Sequence, residues 1–385
     1  MFESFDDNRL AKQLSGNRFT VTYLIKGTQR DAEEKAEVIC LEQTVELPFH
    51  LLPPGHIPGA VIGRIDSVEK IEDNTHRFVI SYAVEVAADE ISQLYNVIFG
   101  NISILPGITV ERFDLHDSMY ACFSGPRFGI SGLREILDEP ESPLLFTALK
   151  PMGLSADDLA QSAYQLALGG IHIIKDDHGL SNQVFATFEE RVQKCSAAVA
   201  KANAETGFKS IYIPSIMGDG CKTLERARFA KENGAGGLLV IPALVGFGMM
   251  HQLSIDNDIA LPIFCHPSFL GSFIINSNGV TCACMLGQFA RLAGADGTVF
   301  PNYSGRFSLS EEQCVSIQRA GSQPMGSLKK TIACPAGGMS AKSLPQSLKV
   351  YGNDVALLMG GGLFNLGPDL TANSREFAKY AGITK

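Results

Sequence analysis

"IHIIKDDH", Ile171–His178, is an apolar, β-branched run that stops abruptly on a lysine, two aspartates and a histidine. A strand buried on both faces reads as a continuous apolar stretch, and it is polar where it leaves the core. Seven further runs share this shape: "PLLFTALKP" before it, then "SIYIPSIMGD", "GGLLVIPALVG", "LPIFCHPS", "ADGTVFPN", "TIACPAGG" and "DVALLMGGG". Amphipathic stretches such as "SADDLAQSAYQLALGG", "FEERVQKCSAAVAKANAETG" and "CKTLERARFAKENGAGG" lie between them. The beat is roughly thirty residues, the size of a β-α unit. Eight such units predict a TIM (β/α)8 barrel over residues 125–385. The rival is a doubly wound open sheet, and no GxGxxG follows the first strand to support it.

Upstream, residues 1–124 have a different texture. "RFTVTYLIKG", "RFVISYAVEV" and "ITVERFDLH" read as strands, and "RDAEEKAEVICLEQT" and "EISQLYNVIFG" as helices. Two β-α-β units suggest a small open sheet with helices on one face. "FSGPRFGISGLREIL" reads as a linker running into a helix.

Composition bounds the function. The chain has 385 residues, 45% hydrophobic and 19% charged, as expected of a soluble globular protein. A net charge of −9 argues against a general nucleic-acid surface. No apolar run reaches the ~18 residues of a membrane helix, and the polar start "MFESFDDNRL" does not resemble a signal peptide. Nine scattered cysteines without CxxC pairs predict reduced thiols and a cytoplasmic location.

Barrel active sites sit at the C-terminal ends of the strands. Those ends carry Lys150, then Lys175, Asp176, Asp177 and His178, then His266, Asn302 with Arg306 beyond it, Gly337–Gly338, and Gly360–Gly362. Lys175 and Asp177 share a face, and Asp176 points away from it. Carboxylates with a nitrogen suggest a divalent metal, but a protonated lysine would repel it. Two readings stay open here: a Lys175–Asp177 ion pair, or a lysine converted by carbon dioxide to a carbamate that donates oxygen. The glycine clusters read either as anion-binding backbone nests or as tight turns that need positive φ.

The segment "ALKPMGLSADDLAQSAYQLALGGIHIIKDDHGLSNQVFATFEERV" resembles the part of the RuBisCO superfamily that carries its first active-site lysine and its carbamylated lysine. "GPRFGISGLR", "FGN" at 99–101, "CHPS", "PAGG" and "MGGGLFN" follow the same superfamily in the same order. The resemblance spans nearly the whole chain. It implies an N-terminal ferredoxin-like α+β domain, a C-terminal barrel, and a head-to-tail homodimer in which Glu42 and Asn101 complete the partner's site. Lys150 matches the catalytic lysine, Lys175 the carbamylated one, Asp177 a metal ligand, and His266 a site histidine. Gly338, Gly361 and Gly362, with Gly337 beside them, match the backbone phosphate site. The implied cofactor is Mg²⁺ or Mn²⁺ with carbon dioxide as the carbamate.

The departures narrow the activity. His178 stands where the family's third metal ligand is Glu. Met152 replaces a second lysine, Pro267 an arginine for a second phosphate, and Ala336 a serine. The mobile-loop lysine has no clear match in "FPNYSGRFSLS", where Arg306 supplies a charge. These changes imply a non-carboxylating, form IV RuBisCO-like protein acting on a phosphorylated keto sugar or sugar acid with one phosphate. Asn101 replaces the lysine of the methionine-salvage enolase, and "KDDH" differs from the "KDDE" of the methylthioribulose phosphate isomerase. By elimination the expected reaction is carboxyl transfer or hydrolysis of the 3-oxo-isoapionate 4-phosphate type. The salvage isomerase or enolase, and a non-catalytic phosphate-sugar sensor, are the alternatives.

Overall fold

The structure is a computed structural model that describes residues 5–276, 278–303, 305–307 and 309–383. Ser304 and Ser308 of the "FPNYSGRFSLS" loop, and the first four residues of the N-terminal stretch, lie outside that set. The chain forms two compact units.

The first unit comprises Met1–Ser124, Leu270–Gln288 and Pro324–Leu328. Its strands are β1 (Arg18–Lys26), β2 (Arg64–Glu72), β3 (Thr75–Ala83) and β4 (Ile108–Asp114), with helices Gln29–Glu42 and Ile91–Phe99 between them. The strand order β4-β1-β3-β2 in this β-α-β-β-α-β chain is ferredoxin-like. Period-2 burial builds the core: Phe19, Val21, Tyr23 and Ile25 alternate inward on β1, beside Phe78, Ile80 and Tyr82 on β3. Thr28 and Asp31 form a capping box that starts helix Gln29–Glu42. β2 was not among the expected strands. All nine of its residues are exposed, so burial imposes no apolar alternation on them.

The second unit comprises Gly125–Phe269, Phe289–Gln323 and Lys329–Lys385. Its strands are β5 (Leu144–Leu149), β6 (Ile173–Asp176), β7 (Ile211–Ile213), β8 (Leu238–Val240) and β9 (Ile263–Cys265). A two-residue β10 (Gly279–Val280) then extends the first unit's sheet beside β4. The second unit resumes with β11 (Gly297–Pro301), β12 (Ile332–Ala336) and β13 (Ala356–Leu358). Parallel ladders join β13-β5-β6-β7 and β8-β9-β11-β12. Bridges Ser215–Leu239 and Ala333–Val355 link the two arcs, and the ring closes. An open doubly wound sheet has two free edges, so closure decides for the barrel.

Phe146, Ile173, Ile213, Leu239, Phe264, Val299, Cys334 and Leu358 fill the barrel interior. Helix Gly129–Leu137 adds Ile130, Leu133 and Leu137 to this cluster, beside the strand-start residues Leu144, Ile211, Ile332 and Ala356. It therefore seals the end of the barrel opposite the strand C-termini.

Candidate active site

The pairing of β5 with β6 sets the geometry. Ala148 lies opposite Lys175 and Leu149 opposite Asp176. Continuing that register by one residue brings Lys150 beside Asp177, and Lys150 Nζ donates to Asp177 Oδ1 at 2.5 Å. The counter-ion of Asp177 is thus Lys150, from the neighbouring strand.

Asp176 faces away from this pair, as strand alternation predicts. Its carboxylate is fully buried and fully used. Arg191 Nε donates to it at 3.0 Å, Tyr212 OH at 2.7 Å and the Ser215 amide at 3.0 Å. This clamp fixes the end of β6 and holds Lys175 and Asp177 on the inner face. Sequence reasoning did not single out Arg191 or Tyr212. The signal existed for Arg191, which shares a helix face with Phe188, Val192 and Cys195, where an unpaired charge would not be tolerated.

Lys175 is buried, and its amine donates to the Asp176 carbonyl at 2.8 Å. Burial lowers its pKa to about 8. The negative charge of Asp177 opposes this shift and the positive charge of Lys150 adds to it. Asp177 behaves oppositely. Burial alone would raise its pKa, but hydrogen bonds from His178 and Lys150 and the two lysine charges hold it well below the usual carboxylate range.

His178 Nδ1 lies 3.6 Å from Asp177 Oδ1. Its ring stacks on that of His266, with centroids 4.8 Å apart and planes 12° from parallel. His266 is held well below the usual histidine range, first by burial and then by the charges of Lys175 and His178. Both effects favour its neutral form. Its Nδ1 accepts from the Ser268 amide at 3.2 Å, which places its proton on Nε2. This cluster offers an ammonium, a carboxylate and a neutral imidazole at one rim, the groups needed to move a proton on a bound substrate.

The unmodified side chains do not by themselves make a metal site. Among the described residues no three His, Cys, Asp or Glu are placed to hold an ion. Asp177 and His178 give two donors, and a carbamate on Lys175 would complete three. The amine fits that role because it is buried and readily uncharged.

The glycine loops divide. Gly337 and Gly338 have φ of 81° and 111°, and the Gly337 carbonyl accepts from the Arg306 amide at 2.9 Å. A Cβ at Gly338 would lie 2.9 Å from that nitrogen, so close packing alone demands glycine there. Gly361 is exposed and opens the short helix Gly361–Phe364, with nothing within 4 Å of its would-be Cβ. Arg306 is exposed, with its guanidinium over the Phe307 ring. Met152 is half-exposed and its methyl group approaches Gly179. In the first unit Asn101 donates to Glu42 at 3.0 Å and to Glu46 at 3.2 Å. Glu46 was not anticipated. His172 is a packing residue, as its dispersion from the other histidines suggests: it is buried, and its Nδ1 accepts from the Leu145 amide.

Residues 129–370 match the family described as "Ribulose bisphosphate carboxylase large chain, catalytic domain". The chain is 34% identical to ribulose bisphosphate carboxylase-like protein 1 of Rhodopseudomonas palustris, over 94% of this chain and 96% of the relative. It is 32% identical to the 5-methylthioribulose-1-phosphate isomerase of Rhodospirillum rubrum, over 95% and 97%. A 2,3-diketo-5-methylthiopentyl-1-phosphate enolase of Bacillus licheniformis is 29% identical over 89% of this chain and 86% of the relative. Among solved structures, a Rubisco-like protein from Rhodopseudomonas palustris superposes with a TM-score of 0.85 at 34% identity, covering 95% of this chain and 97% of the other. In the described residues no helix is long and apolar enough to cross a membrane.

Proposed function

The chain belongs to the ribulose bisphosphate carboxylase large-chain family, and on that premise we propose that it is an enolising enzyme that isomerises a phosphorylated keto sugar. The observation carrying this reading is the Lys150–Asp177–His178 cluster, stacked against a neutral His266 at the strand ends. The relatives weigh on the choice of reaction. Two of them carry the names of a sugar-phosphate isomerase and an enolase. They favour the salvage-type alternative over carboxyl transfer on a 3-oxo-isoapionate phosphate. Likeness to the isomerase across nearly the whole chain outweighs the single departure at His178.

Isomerisation needs a base that takes a proton from the carbon beside a carbonyl and returns it to the neighbouring position. Lys150 is the main acid/base candidate: Asp177 holds its amine at the rim, and it acts as the base only after giving up the proton it shares with that carboxylate. Neutral His266 is the second. Gly361 and Gly362, with Gly337 and Gly338, would give backbone N–H groups to a single phosphate. A second copy would bring Glu42 and Asn101 to the site, as the homodimer reading requires. Asp177, His178 and a carbamate on Lys175 would hold Mg²⁺ or Mn²⁺, which when bound supplies positive charge beside the developing oxyanion.

The test follows deuterium incorporation by NMR. With 5-methylthioribulose 1-phosphate in D2O and divalent metal, the protein exchanges a carbon-bound proton. Lys150→Ala lowers that rate by about 10²–10⁴, the usual worth of a general acid or base. Loss of a carboxyl group from a branched keto sugar-acid phosphate, with no exchange on the pentulose, would restore the carboxyl-transfer reading. Binding of the sugar phosphate with no turnover of either would leave the sensor.

A further inference from the structure

β2 is the outer strand of the first unit's sheet, and its far edge has no strand paired to it among the described residues. Long exposed edges invite pairing with another chain, and proteins usually blunt them with charge or bulges. β2 carries both charge and register shifts, at Ile65/Ser67 and Lys70/Glu72. It also keeps three exposed aliphatic side chains: Ile65 at 39%, Val68 at 48% and Ile71 at 40%. The sequence "RIDSVEKIE" explains that combination if the strand is laid antiparallel against itself about Val68. Arg64 then meets Glu72, Ile65 meets Ile71, Asp66 meets Lys70, Ser67 meets Glu69, and Val68 meets Val68. Apolar faces apolar, opposite charges face each other, and no like charges are opposed.

Other registers lose this match. A shift by one residue in one direction sets Asp66 against Glu69, and in the other Asp66 against Ile71 and Val68 against Glu69. Parallel in-register pairing sets every charge against its own kind. Opposed cross-strand charges and aliphatic pairs stabilise a ladder, and like charges destabilise it. We infer that β2 is a self-complementary edge that pairs antiparallel with β2 of a second copy, with its two-fold axis at Val68. The regular stretch Ser67–Lys70 surrounds that axis, between the two register shifts. The pairing competes with existing contacts: Lys70 leaves an exposed ion pair with Asp73 at 2.8 Å, Arg64 a bond to the Gly59 carbonyl at 2.5 Å, and Asp66 a part-buried bond from the Ser81 hydroxyl at 3.0 Å, while Glu72 has no ion-pair partner among the described residues. With the strands laid about Val68, only Ser67–Glu69 falls in the regular stretch of both and the outer pairs sit at the register shifts, so the interface is small and the pairing concentration-dependent. It differs from the site-sharing contact proposed above, because it uses neither Glu42 nor Asn101.

Two measurements on the full chain test it. Val68→Cys brings two thiols together at the axis, where opposite residues lie about 4.5–5.5 Å apart, within disulfide reach. In a Cys221→Ser background, which removes the exposed native thiol, oxidation then gives a crosslinked dimer on a non-reducing gel, whereas that background alone and with Ser67→Cys gives none. In sedimentation velocity, Glu72→Arg with Lys70→Glu halves the mass of the largest species at high concentration. Adding Arg64→Glu and Asp66→Lys to that double variant restores it. All four positions are exposed, and an unchanged thermal melt confirms folding. Absence of the Val68→Cys crosslink overturns the inference. So does a mass that the double variant leaves unchanged, or a loss that the restored charges do not reverse.

Discussion

Lys175 keeps its amine away from water and within range of a second ammonium, and both conditions disfavour its charge. With burial lowering the pKa to about 8, the uncharged amine grows from a minor to a major species as pH rises from 7 to 9. The neutral amine is the form that takes up carbon dioxide. In ¹³C-bicarbonate, the carbamate carbon signal should therefore grow across that interval and be missing in Lys175→Ala. A signal independent of pH, or one that survives in the variant, would place the reactive amine elsewhere. Stability follows the same proton with the sign expected of a depressed base. Above about 8 the folded chain has shed a proton that the unfolded chain still binds, so this group's contribution to stability rises with pH until the unfolded value is passed. That Lys150, Asp177, His178 and His266 share one rim was legible in sequence because the strand-end rule selects them. Their partners were not, because the Lys150–Asp177 contact depends on the β5–β6 register, which no local pattern encodes.

Elements are tied together at the sealed end of the barrel by Asp296, the residue just before β11. Its Oδ1 accepts from the Phe128 and Gly129 amides, both at 2.7 Å, and its Oδ2 from the Ile263 amide at 2.9 Å. One side chain thus joins the start of helix Gly129–Leu137 to β9. Burial pushes its pKa up to about 6, although all three amides favour the carboxylate. Asp296→Ala strands two buried donors, Gly129 and Ile263, and the part-buried Phe128 amide; each buried one costs about 1–3 kcal/mol, so the second unit should lose several kcal/mol. Asp296→Asn keeps an acceptor for Phe128 and Gly129 but turns an NH₂ towards Ile263, so its loss should be smaller than that of the alanine variant. Urea melts of the two variants check the ranking, and equal losses would show that the amides find other partners. The barrel strands could be read from sequence because parallel strands buried on both faces must be apolar throughout. β2 and β10 could not. The first is wholly exposed, and the second is two residues long and defined by its partner β4.

At the scale of the whole chain, the first unit is assembled from stretches far apart in sequence. The sequence places a boundary between 124 and 125, where the texture of the chain changes. Yet Leu270–Gln288 and Pro324–Leu328 belong with the first unit. Val280 pairs with Val110 on β4. Gln288 spans the Phe113 backbone, accepting from its amide at 3.1 Å and donating to its carbonyl at 2.8 Å. The Thr281 hydroxyl donates to the Glu111 carbonyl at 2.8 Å. A fragment of residues 125–385 keeps all eight barrel strands but strips these segments of their sheet. Buried groups, among them Val280, Cys282 and Cys284, would then face water without partners. That fragment is therefore expected to bind a hydrophobic dye, to aggregate, and to melt well below the full chain. Co-expression with residues 1–124 should recover a soluble complex, since it returns β4 to β10. A fragment that melts alone, cooperatively and at the full-length temperature, would mean that the barrel's own ladders suffice and that the returning segments are passengers.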